Sequence, residues 1–340
     1  MKKSSKEIVI YYCNVNGIKS KEISTKDILK KLAPKVIALC ETKLPSDNFI
    51  KTMLPDYEIN SRSTKTGQSG LVIAVRKQTF NSVLDVTTTS HNNIVVTRIG
   101  LDTMAVRVIL GYAPQETESQ DWREIFFTEL EIEIGYCRLA GDLPIVIGDM
   151  NAKVDMEDGV IKGITPNGKL LLGIVADQNL EVLNFDEKCQ GTMTHVIRTT
   201  GASSVLDYVM TTNEIAKHVN DVIIDEECTF CPFGIKNVKG RIIPQYSDHN
   251  PIITTIEIPY TKKKDICHNP SWKITTEGLD CFYNLTSNEG FPTEVDGRTS
   301  QEKYDKYERL LLGTMGKCFK KNRKKKEKRR HLNSYHCTAK

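Results

Sequence analysis

The chain has 340 residues, 39% hydrophobic and 26% charged, the balance of an ordinary soluble globular protein. Its formal net charge of +4 hides an asymmetry: from Lys317 onward there are 11 Lys/Arg and one acid, Glu327, which leaves 36 basic and 42 acidic residues upstream, a net of −6. No stretch approaches the ~20 apolar residues of a membrane-spanning helix, so no membrane partner is expected, and an acidic body is not that of a passive nucleic-acid scaffold.

In chain order, Met1–Lys6 is basic, but the short apolar run behind it meets Asn and Gly at once and does not read as a signal peptide. The expectation is an intracellular protein whose ten cysteines remain thiols. Ile8–Cys13, rich in β-branched and aromatic residues, reads as a strand ending at Asn-Gly. Thr25–Leu32 has helical spacing, Pro34 punctuates it, and Val36–Cys40 is a buried strand. Gly70–Arg76, Ile94–Ile99 and Met104–Tyr112 follow without intervening helices and read as a meander. Ser119–Leu139 is the longest helix, with Trp122, Ile125, Phe126, Leu130 and Ile134 at near-helical spacing. Pro144–Ile147 is a buried strand running into Gly148-Asp149. Asn167–Asn179 reads as a helix, and Leu180–Phe185, Val205–Met210 and Ile252–Ile258 as strands. Glu226–Gln245 reads as a long irregular loop.

The texture changes after Pro259. Tyr260–Asp265 is a basic linker, Ser287–Thr299 is rich in Gly, Pro and Asn, and Gln301–Phe319 has helical spacing before the run Lys320–Arg330. Two parts are therefore expected: a domain over 1–259 and a linker with a basic, helical or disordered tail over 260–340. The pattern of the first part predicts an α/β (α+β) fold with mixed rather than purely parallel sheets.

Six short motifs share one property: apolar, strand-like residues lead into an acid, an amide or an imidazole. They are Tyr11–Gly17 with Asn14 and Asn16, Leu39–Lys43 with Glu41, Gly111–Pro114 with Tyr112, Ile147–Ala152 with Asp149 and Asn151, Val205–Val209 with Asp207, and Tyr246–Pro251 with Asp248 and His249. Each alone has a plain explanation, since an Asp after a buried strand is usually a turn or capping residue. The two asparagines before Gly17 could simply shape a tight turn. Six strand ends that all finish in oxygen ligands or donors are harder to explain that way.

The ordered set resembles the endonuclease/exonuclease/phosphatase superfamily, the deoxyribonuclease I-like fold. Within it, the set looks most like the endonuclease domain of non-LTR (LINE-type) retrotransposons. The resemblance covers about residues 7–258, and Gly148–Ala152 and Ser247–Pro251 carry it most specifically. It implies a four-layer sandwich, two mixed β-sheets face to face with helices outside, and a Mg²⁺-dependent phosphodiester hydrolase with Mn²⁺ as the alternative ion. Such hydrolysis needs a cation to neutralise phosphoryl charge, a base for water, and donors for the growing negative charge. By resemblance, Glu41 and Asn16 are metal ligands and Asp248 is a further ligand or lies just behind them. Asp149 holds and deprotonates water. Asn151, reached on an extended backbone, donates to the phosphate together with Asn14 and Tyr112. His249 donates to the phosphoryl oxygen with Asp207 fixing its tautomer. Relatives often carry a bulky residue just before the Asp207 motif; Ser203–Leu206 has no aromatic there, which leaves an abasic sugar without its packing partner.

The substrate this points to is duplex DNA, nicked to leave a 3′-hydroxyl. The alternatives are a phosphoesterase of the same fold acting on inositol phosphates or lipids, and an inactive truncated retroelement fragment that only binds nucleic acid. The tail residues Lys320, Lys321, Arg323, Lys324, Lys325 and Lys326 fit DNA or RNA by counterion release, and fit a nuclear address. Cys228–Cys231 is a lone Cys-x-x-Cys that reads as reduced loop thiols rather than a zinc knuckle, and His331, His336 and Cys337 with Cys318 make a weaker metal signal still. No Walker-type Gly-Lys-Ser/Thr loop is present, so no nucleotide cofactor is expected.

Overall fold

The structure is a computed structural model that describes residues 5–63, 69–77, 86–87, 91–101, 104–157, 160–238, 241–259 and, beyond them, 272–273, 281–282, 284–285, 314, 317–318 and 320–321. The chain divides into two compact units, Met1–Lys262 and Lys263–Lys340.

The first unit opens with β1 (Ser5–Asn14), α1 (Glu22–Leu32), β2 (Val36–Cys40), α2 (Asn48–Met53), β3 (Tyr57–Arg62) and β4 (Leu71–Arg76). Then come β5 (Val86–Thr87), β6 (Ile94–Gly100), β7 (Ala105–Tyr112), α3 (Gln120–Leu139) and β8 (Leu143–Asp149). A hairpin of β9 (Val154–Glu157) and β10 (Val160–Ile164) precedes α4 (Pro166–Asp177), β11 (Leu180–Val182) and β12 (Cys189–Gln190). A second hairpin, β13 (His195–Ile197) and β14 (Ala202–Ser204), leads to β15 (Asp207–Thr212), α5 (Asn213–Ala216) and β16 (Val219–Ile224). A third, β17 (Phe233–Val238) and β18 (Arg241–Tyr246), runs into β19 (Ile252–Pro259).

Two large mixed sheets result, in the orders β12-β16-β19-β1-β2-β4-β3 and β11-β15-β8-β7-β6-β5. Alternation along β1 shows how they stack. Tyr12 points into the cluster shared by both sheets, with Ile10, Ala38, Val108, Leu110 and Ile147. Tyr11 points the other way, to Ile28 and Leu29 of α1 and Ile50 of α2. On the far face of the second sheet, α3 and α4 pack Phe126, Leu130, Ile134 and Leu171 against Ile109, Val146 and Tyr208. The sequence therefore makes four layers, helices–sheet–sheet–helices, because its central strands are apolar on both faces.

Several expectations need correction. The three strands read as a meander divide between sheets: β6 and β7 pair in the second, whereas β4 lies between β2 and β3 in the first. The sequence pattern hides β3 because its inward face carries Asn60, whose amide crosses the sandwich to the Val96 carbonyl at 2.8 Å and Thr97 at 3.0 Å. Trp122 and Ile125 of α3 are a little under half exposed, and its core stripe is Phe126, Phe127, Leu130, Ile134 and Cys137. Only Leu180–Val182 of the expected strand to Phe185 is extended; Leu183–Phe185 is a 3-10 turn. β15 begins at Asp207 rather than Val205, because the Thr194 hydroxyl takes the backbone N–H of Leu206 (2.9 Å) and Asp207 (3.0 Å). The stretch read as an irregular loop contains the β17–β18 hairpin.

In the second unit, β20 (Trp272–Lys273) pairs antiparallel with β21 (Lys320–Lys321), so these two tail lysines are extended rather than helical. Cys318 of this unit faces Cys281, with sulfurs 2.8 Å apart. Arg323, Lys324, Lys325 and Lys326 lie outside the described residues, as do His331, His336, Cys337 and most of the helix expected over Gln301–Phe319. Among the described residues no helix is long and apolar enough to cross a membrane.

Gly148 of β8 lies opposite Gly111 of β7. Its φ is +155°, and a Cβ there would stand 2.0 Å from the Gly111 carbonyl oxygen. Gly148→Ala is expected to lower stability by about 3 kcal/mol or more, because backbone rather than a flexible side chain must yield. Gly173 in α4 has open space, with nothing within 4 Å of where a Cβ would stand, and Gly173→Ala should stabilise by about 0.5–1 kcal/mol through helix propensity. Urea unfolding of both variants checks this, and equal midpoints would refute the close-approach argument.

Candidate active site

Strand direction decides where the polar motifs meet. β1 and β2 are parallel, with Asn14 opposite Cys40. β7 and β8 are also parallel, with Tyr112 opposite Asp149. The carboxyl ends of all four strands lie at one rim of the sandwich. β15 runs antiparallel to β8, so its first residue, Asp207, pairs with Asp149. β19 runs antiparallel to β1, which brings Ser247–Asn250 to the same rim.

The two sheets are tied there by side chains. The Asn14 amide donates to Glu41 Oε1 and to Asp149 Oδ2, both at 3.0 Å. The Tyr12 hydroxyl donates to Asp207 Oδ1 at 2.5 Å. The Tyr112 hydroxyl donates to Glu41 Oε1 at 3.0 Å. Asn14, Asp149, Asp207 and His249 are all buried. Carboxylates removed from water are costly unless hydrogen-bonded, and each of these is. Asp149 Oδ1 also accepts the backbone N–H of Asn151 at 3.0 Å.

His249 lies between the two aspartates, with Nδ1 2.7 Å from Asp207 Oδ2 and Nε2 3.8 Å from Asp149 Oδ2. An ionised carboxylate only accepts, so Nδ1 carries a proton. Burial pulls the imidazole pKa down, but the charges of Asp207 and Asp149 outweigh it and push it up to about 10. The opposite holds for Asp149: burial and the neighbouring Asp207 push it up to about 7, with His249 acting against them. The rim thus holds an imidazolium donor beside a carboxylate whose proton affinity suits proton transfer near neutral pH.

The more open side is lined by oxygen. Glu41 and Asp248 are partly exposed. Glu41 Oε2 and the Asn16 side-chain carbonyl both face one cation, the Lys43 ammonium, at 3.0 and 2.5 Å. Asn16 Nδ2 donates to Asp248 Oδ1 at 3.2 Å. Burial raises the Glu41 pKa, but hydrogen bonds from Asn14 and Lys43 outweigh it and hold it below the usual range, so the group stays ionised. Asp248 is likewise held below its usual value: burial opposes, and His249 and Asn16 prevail. Glu41 and the Asn16 amide oxygen already share one positive charge, and with the ionised Asp248 beside Asn16 they fit a hard divalent cation. His195, Asp248 and His249 form a further group whose ligand atoms lie within 4.8 Å of one another.

All nine residues expected at the site reach this rim, but not all in the expected posture. Asn151 is not extended: its φ is +44°, and its amide is held by the Ala113 carbonyl at 2.8 Å. Asn14 is buried as a tie between carboxylates rather than presented to an incoming phosphate. Asn16, Glu41 and Lys43 also have positive φ, so the rim concentrates left-handed backbone that non-glycine residues adopt at a cost.

The sequence pattern does not reveal four contributors. Tyr12 lies hidden in a strand pattern as a core aromatic. Lys43 belongs to a motif but has no role assigned by it. Lys21 is buried, with Nζ donating to the carbonyls of Val15 at 2.7 Å and Asn16 at 2.9 Å, which fixes the loop that presents Asn16. His195 stacks edge-on against His249, ring centroids 4.8 Å apart, with Nε2 3.9 Å from Asp248. Nothing in the polar run around His195 signals this; only the β13–β14 hairpin brings it in.

Comparison with known proteins follows the same geometry. The profile of the Endonuclease/Exonuclease/phosphatase family matches residues 12–249. A comparison with curated protein sequences finds no match. Among solved structures, the AP endonuclease LMAP from Leishmania major superposes with a TM-score of 0.57 at 14% identity, over 75% of this chain and 89% of that one. The 3′ phosphatase NExo from Neisseria bound to product DNA hairpin gives 0.56 at 18%, over 73% and 98%. The endonuclease domain of TRAS1, a telomere-specific non-LTR retrotransposon, gives 0.51 at 16%, over 75% and 100%. At these identities the likeness is one of fold.

Asn14→Ala removes the one amide that serves both Glu41 and Asp149. It is expected to weaken Mn²⁺ binding about 10–100-fold, the usual effect of losing a group that orients a ligand. Lys43→Met removes the competing ammonium and is expected to tighten binding. Electron paramagnetic resonance titration with Mn²⁺ reads both, and no change in either variant would place the cation elsewhere.

Proposed function

Because the chain belongs to the Endonuclease/Exonuclease/phosphatase family, a family of metal-dependent phosphodiester hydrolases, we propose that it is a Mg²⁺-dependent endonuclease that nicks duplex DNA. The observation that carries this reading is the buried Asp207–His249–Asp149 row, which opens onto the oxygen donors Glu41, Asn16 and Asp248. A bound cation would neutralise charge on the phosphoryl oxygens and the leaving group.

The chain's own residues supply the rest. Asp149, its Oδ1 fixed by the Asn151 N–H and its Oδ2 by Asn14, holds and deprotonates the attacking water. His249, kept charged by Asp207, donates from Nε2 to a phosphoryl oxygen as negative charge grows there. Tyr12 and Asn184 secure Asp207, the first through its carboxylate and the second through its carbonyl at 3.0 Å. The Asn151 amide, which has a second N–H besides the one given to the Ala113 carbonyl, is the remaining donor on the substrate side, while the Tyr112 hydroxyl is engaged by Glu41. Glu41, Asn16 and Asp248 would hold the metal, Mg²⁺ by preference and Mn²⁺ in substitution.

Support for DNA comes from two directions. One structural neighbour, the 3′ phosphatase, is bound to product DNA hairpin, and others are an AP endonuclease and a retrotransposon endonuclease domain. The basic tail, 11 Lys/Arg from Lys317 onward, supplies a nucleic-acid tether that a lipid or inositol phosphate would not need. A nuclear location and a retrotransposon origin accord with the same features.

Purified protein incubated with supercoiled plasmid and Mg²⁺ is expected to give open circles, and chelation to stop the reaction. Asp149→Ala and His249→Ala should each lower the rate by about a thousandfold, within the range for losing a proton-transfer group. Equal nicking by parent and variants would reject the site, and turnover of an inositol phosphate or lipid with no nicking would reassign the substrate. Truncation after Asn322 should flatten the salt dependence of DNA binding while leaving cleavage chemistry intact; an unchanged slope would remove the tail from the binding surface.

A further inference from the structure

The β17–β18 hairpin stands out from an otherwise closed sandwich. Its strands pair over Phe233–Val238 and Arg241–Tyr246, outside both large sheets. Its base is clamped. The Phe233 N–H donates to Ser24 Oγ at 2.9 Å, Ser24 Oγ donates to the Phe233 carbonyl at 2.7 Å, and the Ser247 N–H closes on the Pro232 carbonyl at 3.3 Å. Phe233 and Tyr246 stack there at 5.3 Å, with the Arg198 guanidinium over the Tyr246 ring. Past this base the ribbon meets solvent. Ile235 is 67% exposed and Ile242 73%, and Ile243, Lys236 and Arg241 are exposed too.

A solitary two-stranded ribbon is marginal in water, and three exposed isoleucines make it more so. Its charge also runs against the body. Between Glu227 and Asp248 the sequence carries Lys236, Lys239 and Arg241 and no acid, within a body of net −6. Its second strand leads directly into Ser247-Asp248-His249. Six residues of strand extend about 20 Å, roughly six nucleotides along one strand of a duplex. A two-stranded ribbon is also an element that a DNA groove admits.

From this placement, charge and exposed apolar surface we infer that the β17–β18 hairpin is a second DNA-contacting element. Lys236 and Arg241 meet phosphates on the duplex beside the scissile bond, and Ile243, which pairs with Lys236 and shares their face of the ribbon, lies against the groove. The inference rests on the nuclease reading above but is read by binding, so the two can fail separately. The hairpin sets where along a duplex the enzyme settles, and it takes no part in the bond-breaking step.

The test uses the full chain and a fluorescent 20-base-pair duplex, with anisotropy measured over a range of salt without Mg²⁺. The double variant Lys236→Gln/Arg241→Gln is expected to reduce the slope of log affinity against log salt by about 1.8, two phosphate contacts' worth. Ile243→Ser is expected to weaken binding about tenfold at fixed salt, the scale of one exposed isoleucine that is buried on binding. Hydrolysis of bis(4-nitrophenyl) phosphate, too small to reach the hairpin, should match the parent in both and also shows that the variants are folded. Unchanged affinity and slope would overturn the inference. So would a parent dimer in sedimentation that Ile243→Ser dissolves while duplex affinity stays the same, since the hairpin's partner would then be a second copy of the chain. If the parent fails to nick plasmid, the nuclease reading falls, and the anisotropy slopes still decide the hairpin.

Discussion

Two buried carboxylates face each other across a strand pair, and the rest of the rim is arranged around that fact. Asp149 and Asp207 are register partners on β8 and β15, and both are removed from water. Left alone they would repel, and burial together with the Asp207 charge pushes the Asp149 pKa up. The fold answers with one positive charge and a ring of donors: the His249 imidazolium lies between them, the Tyr12 hydroxyl and Asn14 amide reach over from the other sheet, and the Asn151 backbone closes from below. The site is thus a product of sandwich packing, because neither sheet carries both the charges and their partners.

That dependence explains the backbone around it. Residues that must leave a strand end and turn sharply toward a shared point take positive φ, as Asn16, Glu41 and Asn151 do. The conformational cost is met locally. Lys21 ties down the Asn16 loop through buried carbonyls, and the Ala113 carbonyl holds the Asn151 amide. Gly148, one residue before Asp149, has no side chain because the Gly111 backbone fills the space where one would stand. Preorganisation of this kind lowers the reorganisation needed when charge moves during hydrolysis.

The elements outside the rim divide the remaining work. Helices α1 to α4 cover the outer faces of the two sheets. The hairpins do what sheets cannot: β13–β14 delivers His195 to the rim, and β17–β18 extends a basic, apolar ribbon away from it.

Local pattern alone determined much of this. The apolar runs at Val36–Cys40, Ile94–Ile99 and Pro144–Ile147 read as strands and are strands. Two of them run straight into Glu41 and Asp149, because a strand's end is where the chain regains access to water and to chemistry. The ordered acids, amides and imidazole carried the family resemblance, and that resemblance singled out Glu41, Asp149, Asp207 and His249. Tertiary structure decided which strands are neighbours. Sheet membership of β4, the edge strand β3 with its inward Asn60, the role of Tyr12, the capture of His195 and the ribbon at Phe233–Tyr246 depend on pairings between residues far apart in sequence. Hydrophobic periodicity reports that a residue is buried; it carries no information about what lies on the other side of the core.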